Sequence, residues 1–281
     1  MNGLKERSER PAVRGASARR ERADTALVRR GLADSREKAQ ALIMAGRVFS
    51  KGVKVAKSGH PVKAGQDLEV RAGFPYVGRG GLKLEEALDV LGVDVSGRAA
   101  ADLGASTGGF TDCLLQRGAR RVYAVDVDTR QLDQKLRRDP RVTLIEKNAR
   151  RLGAEDFPEA LDLVTADLSF ISVLKVLPAV RTFLGEGRLL ALLKPQFEAG
   201  RGEAGRGKGV VRDREVHARV LRSLIAGAAD QGFGLRGLLK CSTAGQKGNR
   251  EFFALWSLRD APRGAERIER LVKEVVWDEK D

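Results

Sequence analysis

Four charged side chains, widely separated in the chain, stand where apolar runs begin or end. Lys83 lies in Gly80-Gly81-Leu82-Lys83-Leu84 and Asp167 in Ala166-Asp167-Leu168-Ser169-Phe170. Lys194 lies in Leu193-Lys194-Pro195-Gln196 and Glu251 in Gly248-Asn249-Arg250-Glu251-Phe252. Two amines and two carboxylates brought to one place can hold each other's charge and handle a proton. Any one of them alone reads as a solvated strand end, so their meaning depends on what stands beside them.

The neighbouring signal is a glycine loop. After the apolar run Ala99–Leu103 comes Asp102-Leu103-Gly104-Ala105-Ser106-Thr107-Gly108-Gly109-Phe110. A strand, a glycine turn and a helix start bring backbone close to a ligand where no Cβ intrudes. The dinucleotide fingerprint GxGxxG would need its second glycine at position 106, which is Ser106. The next strand ends in Asp126-Val127, where a carboxylate can accept hydrogen bonds from ribose hydroxyls. Asn148 follows the third strand and on residue type alone is a turn residue.

The elements needed to position these groups are legible as alternating apolar runs and amphipathic stretches. Strands are expected at 99–103, 122–127, 142–145, 161–165 and 189–193, with two more at 233–240 and 251–258. Helices are expected at 107–117, 130–138, 170–184 and 213–231. Strict alternation implies an α/β domain with a doubly wound, mostly parallel sheet, Rossmann-like, whose ligand sits beyond the carboxyl ends of its strands. This domain is expected to span residues 83–260, preceded by a linker over 72–82 in which Gly78, Gly80 and Gly81 leave the backbone free.

The N-terminal quarter has a different character. Residues 1–21 are basic and without periodicity, and read as a disordered arm. Over 22–71 two short helices, the second capped by Ser35 and ended by Gly46, precede short strands at 48–49, 53–55 and 67–70. Of the net charge of +14, residues 1–75 contribute +9, the footprint of a polyanion-binding module. Asp24-x-x-Leu27-Val28-x-x-Gly31-Leu32, Ser35-Arg36 and Ala45-Gly46-Arg47-Val48 resemble the S4 RNA-binding domain, a small α+β unit. That resemblance implies that Arg29, Arg30, Arg36, Lys38, Arg47 and Lys51 meet RNA, chiefly through phosphates and shape.

The glycine loop resembles the DxGxSxGGF motif of S-adenosylmethionine-dependent ribose 2′-O-methyltransferases, the FtsJ-like class. With Arg79-Gly80-Gly81-Leu82-Lys83-Leu84, Lys194-Pro195-Gln196-Phe197-Glu198-Ala199-Gly200 and the S4-like unit, the chain resembles the TlyA (hemolysin A) family over about residues 22–258. The resemblance implies S-adenosylmethionine as cofactor, ribosomal RNA as partner, a cytidine ribose as target and a cytoplasmic enzyme. It assigns Asp102, Gly104, Ala105, Ser106, Thr107, Gly108, Gly109, Phe110, Asp126, Val127, Asn148 and Asp167 to the cofactor. It assigns Lys83, Asp167, Lys194 and Glu251 to a catalytic tetrad, Lys194 nearest the hydroxyl. A lysine that removed the proton would have to be neutral, which a second cation and burial favour and two carboxylates oppose. Orientation is the role retained.

Other classes fare worse. Two cysteines, Cys113 and Cys241, without a CxxC pair point away from a disulfide framework or a cysteine-based zinc site. Cys241 follows Lys240 rather than a proline, against 5-methylcytosine chemistry, and Cys113 reads as core. A base-nitrogen methyltransferase would show Asp/Asn-Pro-Pro-Tyr/Phe where this chain has Asp167-Leu168-Ser169-Phe170. A non-catalytic RNA-binding factor has no need of loop and tetrad together. A pore-forming haemolysin lacks support: no apolar run approaches the roughly 18 residues of a membrane helix, and no signal peptide is expected. His60 and His217 read as surface residues, glycine-rich 198–210 equally as a lid over RNA or a floppy surface loop, and the tail 261–281 as helical through Ile268, Leu271 and Val275.

Overall fold

The structure is a computed structural model that describes residues 20–44, 46–63, 65–70, 75–199, 209–261 and 263–277. The chain divides into two compact units, Met1–Gly73 and Phe74–Asp281. Most of the expected arm, residues 1–19, and the centre of the glycine-rich lid or loop, residues 200–208, lie outside the described residues.

In the first unit, α1 (Ala23–Arg29) packs on α2 (Arg36–Met44). The Ser35 hydroxyl accepts from the Lys38 amide at 3.2 Å, capping the start of α2. Two small antiparallel sheets complete the unit. One pairs β1 (Arg20–Arg22) with β4 (Pro61–Lys63), and the other has the order β3-β2-β5, with β2 at Val48–Ser50, β3 at Val53–Lys54 and β5 at Glu69–Val70. The β2–β3 hairpin turns through Lys51 and Gly52, both at positive φ, as a two-residue turn of that hand requires. Ala26, Leu27, Ile43, Val48, Val55 and Val62 form its core. Residues 20 and 21 were expected in the arm; backbone pairing to Lys63 and Val62 makes them strand instead.

The second unit is built on a sheet of order β11-β12-β10-β9-β6-β7-β8 among the described residues. The strands are β6 (Ala99–Leu103), β7 (Arg121–Asp126), β8 (Val142–Glu146), β9 (Leu163–Ala166), β10 (Arg188–Leu193), β11 (Gly234–Lys240) and β12 (Phe252–Ser257). All neighbouring pairs from β8 across to β10 are parallel, and β12 runs antiparallel to both β10 and β11. Alternate residues face opposite layers, as the period of two requires. Ala99, Ala101 and Leu103 join one core with Leu177, Leu221, Phe233 and Trp256. Ala100, Val122, Leu190 and Phe253 join the other with Leu84, Leu88, Phe110 and Leu114. The helices are α3 (Gly80–Val90), α4 (Gly109–Gln116), α5 (Gln134–Arg137), α6 (Leu177–Phe183), α7 (Pro195–Glu198), α8 (Arg214–Ala229) and α9 (Ala265–Trp277), the last within the expected tail.

Several expectations need correction. Alternation is not strict: only 3-10 turns at Ala149–Arg151 and Ala154–Asp156 join β8 to β9. The helix expected at 130–138 is split into a 3-10 turn at Thr129–Gln131 and α5, because Asp128 and Asp133 each cap a separate start and Leu132 between them is extended and buried. The helix expected at 170–184 is reduced to a 3-10 turn at Val173–Lys175 and α6. The linker is shorter than 72–82, since α3 begins at Gly80. Its glycines serve close packing rather than freedom: a Cβ on Gly81 would clash with the Tyr76 ring. His217 is buried, not superficial, its Nε2 3.0 Å from the Val211 carbonyl.

Candidate functional site

Sheet register brings the four charged residues to one edge. In β12-β10-β9-β6 order, Phe252 pairs with Leu193, Ala191 with Ala166, and Ala166 with Leu103. Glu251, Lys194, Asp167 and Gly104 are each the next residue at that edge, where the carboxyl ends of the parallel strands meet the start of β12. The Asp167 amide donates to the Leu103 carbonyl at 2.9 Å, which fixes the turn out of β9.

Two ion pairs result. Lys83 Nζ, in the first turn of α3, donates to Glu251 Oε2 at 2.5 Å, and both side chains are nearly enclosed. Lys194 Nζ lies 2.5 Å from Asp167 Oδ1 and donates to Ser169 Oγ at 3.1 Å. The Cys241 thiol senses the convergence: burial pushes it up, Lys83 opposes, and Glu251, Glu86 and Asp167 add to the rise. A thiol held protonated in this way is not a nucleophile, in keeping with the rejection of cysteine-based base methylation.

Beside this cluster lies a cavity of about 600 Å³, within the range of small-molecule sites. Of the residues assigned to a cofactor, Gly104, Ser106, Asp126, Val127, Asn148 and Asp167 line it. Gly104 has φ +84°, and a Cβ there would meet the Asp167 carbonyl oxygen at 2.6 Å, so glycine is required by both conformation and space. Asp126 accepts from the Ser106 amide at 2.9 Å and the Asp128 amide at 3.1 Å, one on each carboxylate oxygen, and each oxygen keeps a further lone pair. Asn148 lines the cavity, and its Oδ1 accepts from the Arg150 amide at 3.0 Å, capping the following turn.

The remaining loop residues do not line this cavity. Asp102 is fully buried and accepts from the Thr111 hydroxyl at 2.7 Å and the Thr165 hydroxyl at 3.1 Å, pegging β6 to α4 and β9. Burial pushes its carboxyl up to about 7, with the two threonines opposing. Gly108 packs against Leu132 and Leu136, Gly109 against the backbone at Gly78–Gly81, and Phe110 against Phe253. Ala105 is buried, and the Thr107 hydroxyl lies against Gly78. Within the motif, Gly104 and Ser106 are the residues that line the cavity.

The cavity also includes residues that the sequence analysis left out: Gln131, Lys147, Arg150, Leu168, Ser169, Phe170, Ile171, Lys175 and Val176. Phe170 carried the one readable signal, an aromatic three residues past Asp167. It is 89% exposed with φ +65°, a conformation costly for a bulky residue, and its ring packs at a 46° tilt against Phe197, centroids 4.8 Å apart.

In the first unit, the buried carboxylate of Asp24 accepts from Arg22 at 2.9 Å, Gln40 at 3.1 Å and Arg36 at 3.2 Å. The Arg22 guanidinium, with Gln40 and Arg36, holds it well below the usual carboxylate range. Arg29 pairs with Glu21 at 2.5 Å and Lys38 with Asp34 at 2.6 Å; both basic side chains are exposed, where such pairs contribute little to stability. Arg30 differs. Its guanidinium is only 20% exposed and donates to the carbonyls of Gln66 and Lys63, so it ties α1 to the loop before β5. Lys51 is exposed at its hairpin turn, and Arg47 is half-buried.

Fold and site together define a class: a doubly wound α/β protein with a ligand cavity at its strand ends and an amine–carboxylate cluster beside it. A family model described as FtsJ-like methyltransferase matches residues 76–257, and one described as S4 domain matches residues 21–68. The chain belongs to the FtsJ-like methyltransferase family and carries an S4 domain at its N-terminal side. It is 46% identical over 240 residues to a Bacillus subtilis protein named "Putative rRNA methyltransferase YqxC", covering 84% of this chain and 85% of that one. It is 44% identical over 243 residues to the Mycobacterium tuberculosis 16S/23S rRNA (cytidine-2'-O)-methyltransferase TlyA, covering 85% and 90%. A solved structure described as "Putative hemolysin from Streptococcus thermophilus" superimposes with a TM-score of 0.70 at 41% identity, covering 92% and 96%. Among the described residues, no helix is long and apolar enough to cross a membrane.

Proposed function

We propose that this protein transfers a methyl group from S-adenosylmethionine to the 2′-hydroxyl of a cytidine ribose in ribosomal RNA, in the cytoplasm, with the S4 unit gripping the RNA. The observation that carries this reading is the Lys194–Asp167 pair standing at the strand edge beside the Gly104 cavity, the Lys83–Glu251 pair next to it. The relatives named as ribosomal RNA methyltransferases support it.

The wall suits a cationic nucleoside. Asp126 and Asp167 supply carboxylates, Asp126 retains lone pairs for ribose hydroxyls, and the absent Cβ at Gly104 leaves room against the backbone. When bound, S-adenosylmethionine supplies a methyl carbon on a positively charged sulfur, so the methyl needs no further activation. What remains is to present a weakly acidic hydroxyl in line and to let its proton pass to water as the new O–C bond forms. Lys194 Nζ, held by Asp167 and Ser169, can fix that oxygen. Such positioning lowers a barrier by about 7 kcal/mol or more. Lys83 and Glu251 neutralise each other and keep the edge rigid. Phe170, exposed at the rim, presents a ring on which an unstacked base can lie.

Titration calorimetry with S-adenosylmethionine, followed by methyl transfer to ribosomal subunits, tests the reading. Lys194→Ala should bind the cofactor as wild type does and lose at least about a hundredfold in transfer rate. Equal transfer by wild type and Lys194→Ala would remove Lys194 from the reaction.

A further inference from the structure

Glu198 is a charged residue that neither ion pair nor cavity wall employs, yet its carboxylate is turned into the protein. It closes α7, the single turn that starts directly after Lys194. Its Oε1 accepts from the Val173 amide at 2.8 Å, across a separation of 25 residues. Val173 begins the 3-10 turn Val173–Lys175, and Ser172 supports the same turn by accepting from the Leu174 amide at 3.3 Å. Lys175 and Val176, which follow directly, line the cofactor cavity, as do Phe170 and Ile171 just before. Between cavity and α7, Leu168, Ile171, Val173, Lys194, Phe197 and Glu198 enclose a narrow gap with no room for water.

We infer that Glu198 is a positioning residue whose carboxylate ties the Lys194 turn to the 168–176 wall, setting the cofactor cavity and the Lys194–Asp167 pair in register with each other. The inference rests on the function proposed above.

The geometry gives the tie its leverage. Asp167 and the 168–176 wall are one continuous segment leaving β9, whereas Lys194 and Glu198 are one segment leaving β10. Besides Glu198, these segments are joined near the site by Lys194 with Asp167 and Ser169 and by the tilted Phe170–Phe197 ring contact. Those contacts lie at the exposed rim or involve the reacting groups themselves. The Glu198 bond lies behind them and ends on backbone. Burial raises the pKa of Glu198 while the Ser172 hydroxyl and the Val173 amide hold it down. The amide asks only for an acceptor, which a glutamine carbonyl also provides.

The test uses the full chain with Glu198→Ala, Glu198→Gln and Glu198→Asp, reading S-adenosylhomocysteine affinity by calorimetry, transfer to ribosomal RNA, and thermal unfolding. Glu198→Ala should weaken S-adenosylhomocysteine by about tenfold, the effect of losing one hydrogen bond to a charged acceptor. Its kcat should fall by about tenfold or more, because the misplaced Lys194 also slows the reaction. Glu198→Gln should restore both to within about threefold. If Glu198→Ala does not fold, Glu198→Asp, which keeps the charge but withdraws it by one methylene, must show the paired loss. Wild-type affinity and kcat in a folded Glu198→Ala, or a Glu198→Gln as impaired as Glu198→Ala, would overturn the inference. Failure of the wild-type protein itself to bind S-adenosylhomocysteine would instead overturn the function on which it rests.

Discussion

Removing one partner of the Lys83–Glu251 pair should cost far more than removing both. The side chains are 11% and 4% exposed and meet at 2.5 Å, so neither charge has much water to fall back on. Glu251→Leu leaves the Lys83 ammonium buried without a counter-charge, and Lys83→Met does the same to the Glu251 carboxylate. Breaking a buried pair in this way costs about 3–5 kcal/mol. For a unit of this size each kcal/mol lowers the melting temperature by about 2–4 °C, which places the single variants about 6–20 °C below wild type. Lys83→Met/Glu251→Leu removes both charges and fills a similar volume, so its stability should return to within about 1–2 kcal/mol of wild type. Its methyl transfer should not return. Thermal unfolding and a transfer assay on all four proteins give the full cycle. Single variants within about 1 kcal/mol of wild type would refute the desolvated pair. A double variant that transfers methyl at the wild-type rate would show the pair to be structural alone.

Other perturbations separate wall, support and RNA grip. Gly104→Ala should reduce cofactor affinity by at least about tenfold in calorimetry, because its Cβ meets the Asp167 carbonyl oxygen at 2.6 Å and φ is +84°; unchanged affinity would mean that the loop yields. Asp102, pushed up to about 7 from 3.8, binds a proton in the folded state that the unfolded chain has already released. Its contribution to stability is therefore full below about 4 and is lost as pH rises through about 7. Asp102→Asn should flatten that part of the stability–pH curve in denaturant titrations, and an unchanged slope would assign it to other groups. Asp24→Ala should loosen the first unit and weaken RNA binding in a salt-dependent filter assay while leaving cofactor affinity intact. RNA binding equal to wild type would deprive the Asp24 cluster of any role in presenting the basic face.

Sequence went far where chemistry and periodicity coincide. The apolar runs ending in Gly104, Asp126, Asp167 and Lys194 mark strand edges, and one sheet necessarily gathers its edges. Helix extents were poorer guides. Residues 130–138 have helical composition, yet Leu132 is drawn into the core against Gly108 and two aspartates cap competing starts. Residues 170–184 lose their first turn to Phe170 at positive φ and to the Glu198 bond from another element. Asp102 belongs to a ligand motif by position, but alternation along β6 turns it away from the cavity onto Thr111 and Thr165. His217 looked solvated in sequence because its partner, the Val211 carbonyl, is backbone and carries no side-chain signal. What sequence could not convey is pairing between segments dozens of residues apart.

Identity of the methylated atom is the most direct test of the account. Wild-type protein, S-adenosylmethionine labelled in its methyl group and ribosomal subunits are incubated together, and the RNA is digested to nucleosides for separation and mass analysis. The account predicts label in 2′-O-methylcytidine, abolished by Lys194→Ala. Label in a base-methylated nucleoside would contradict it.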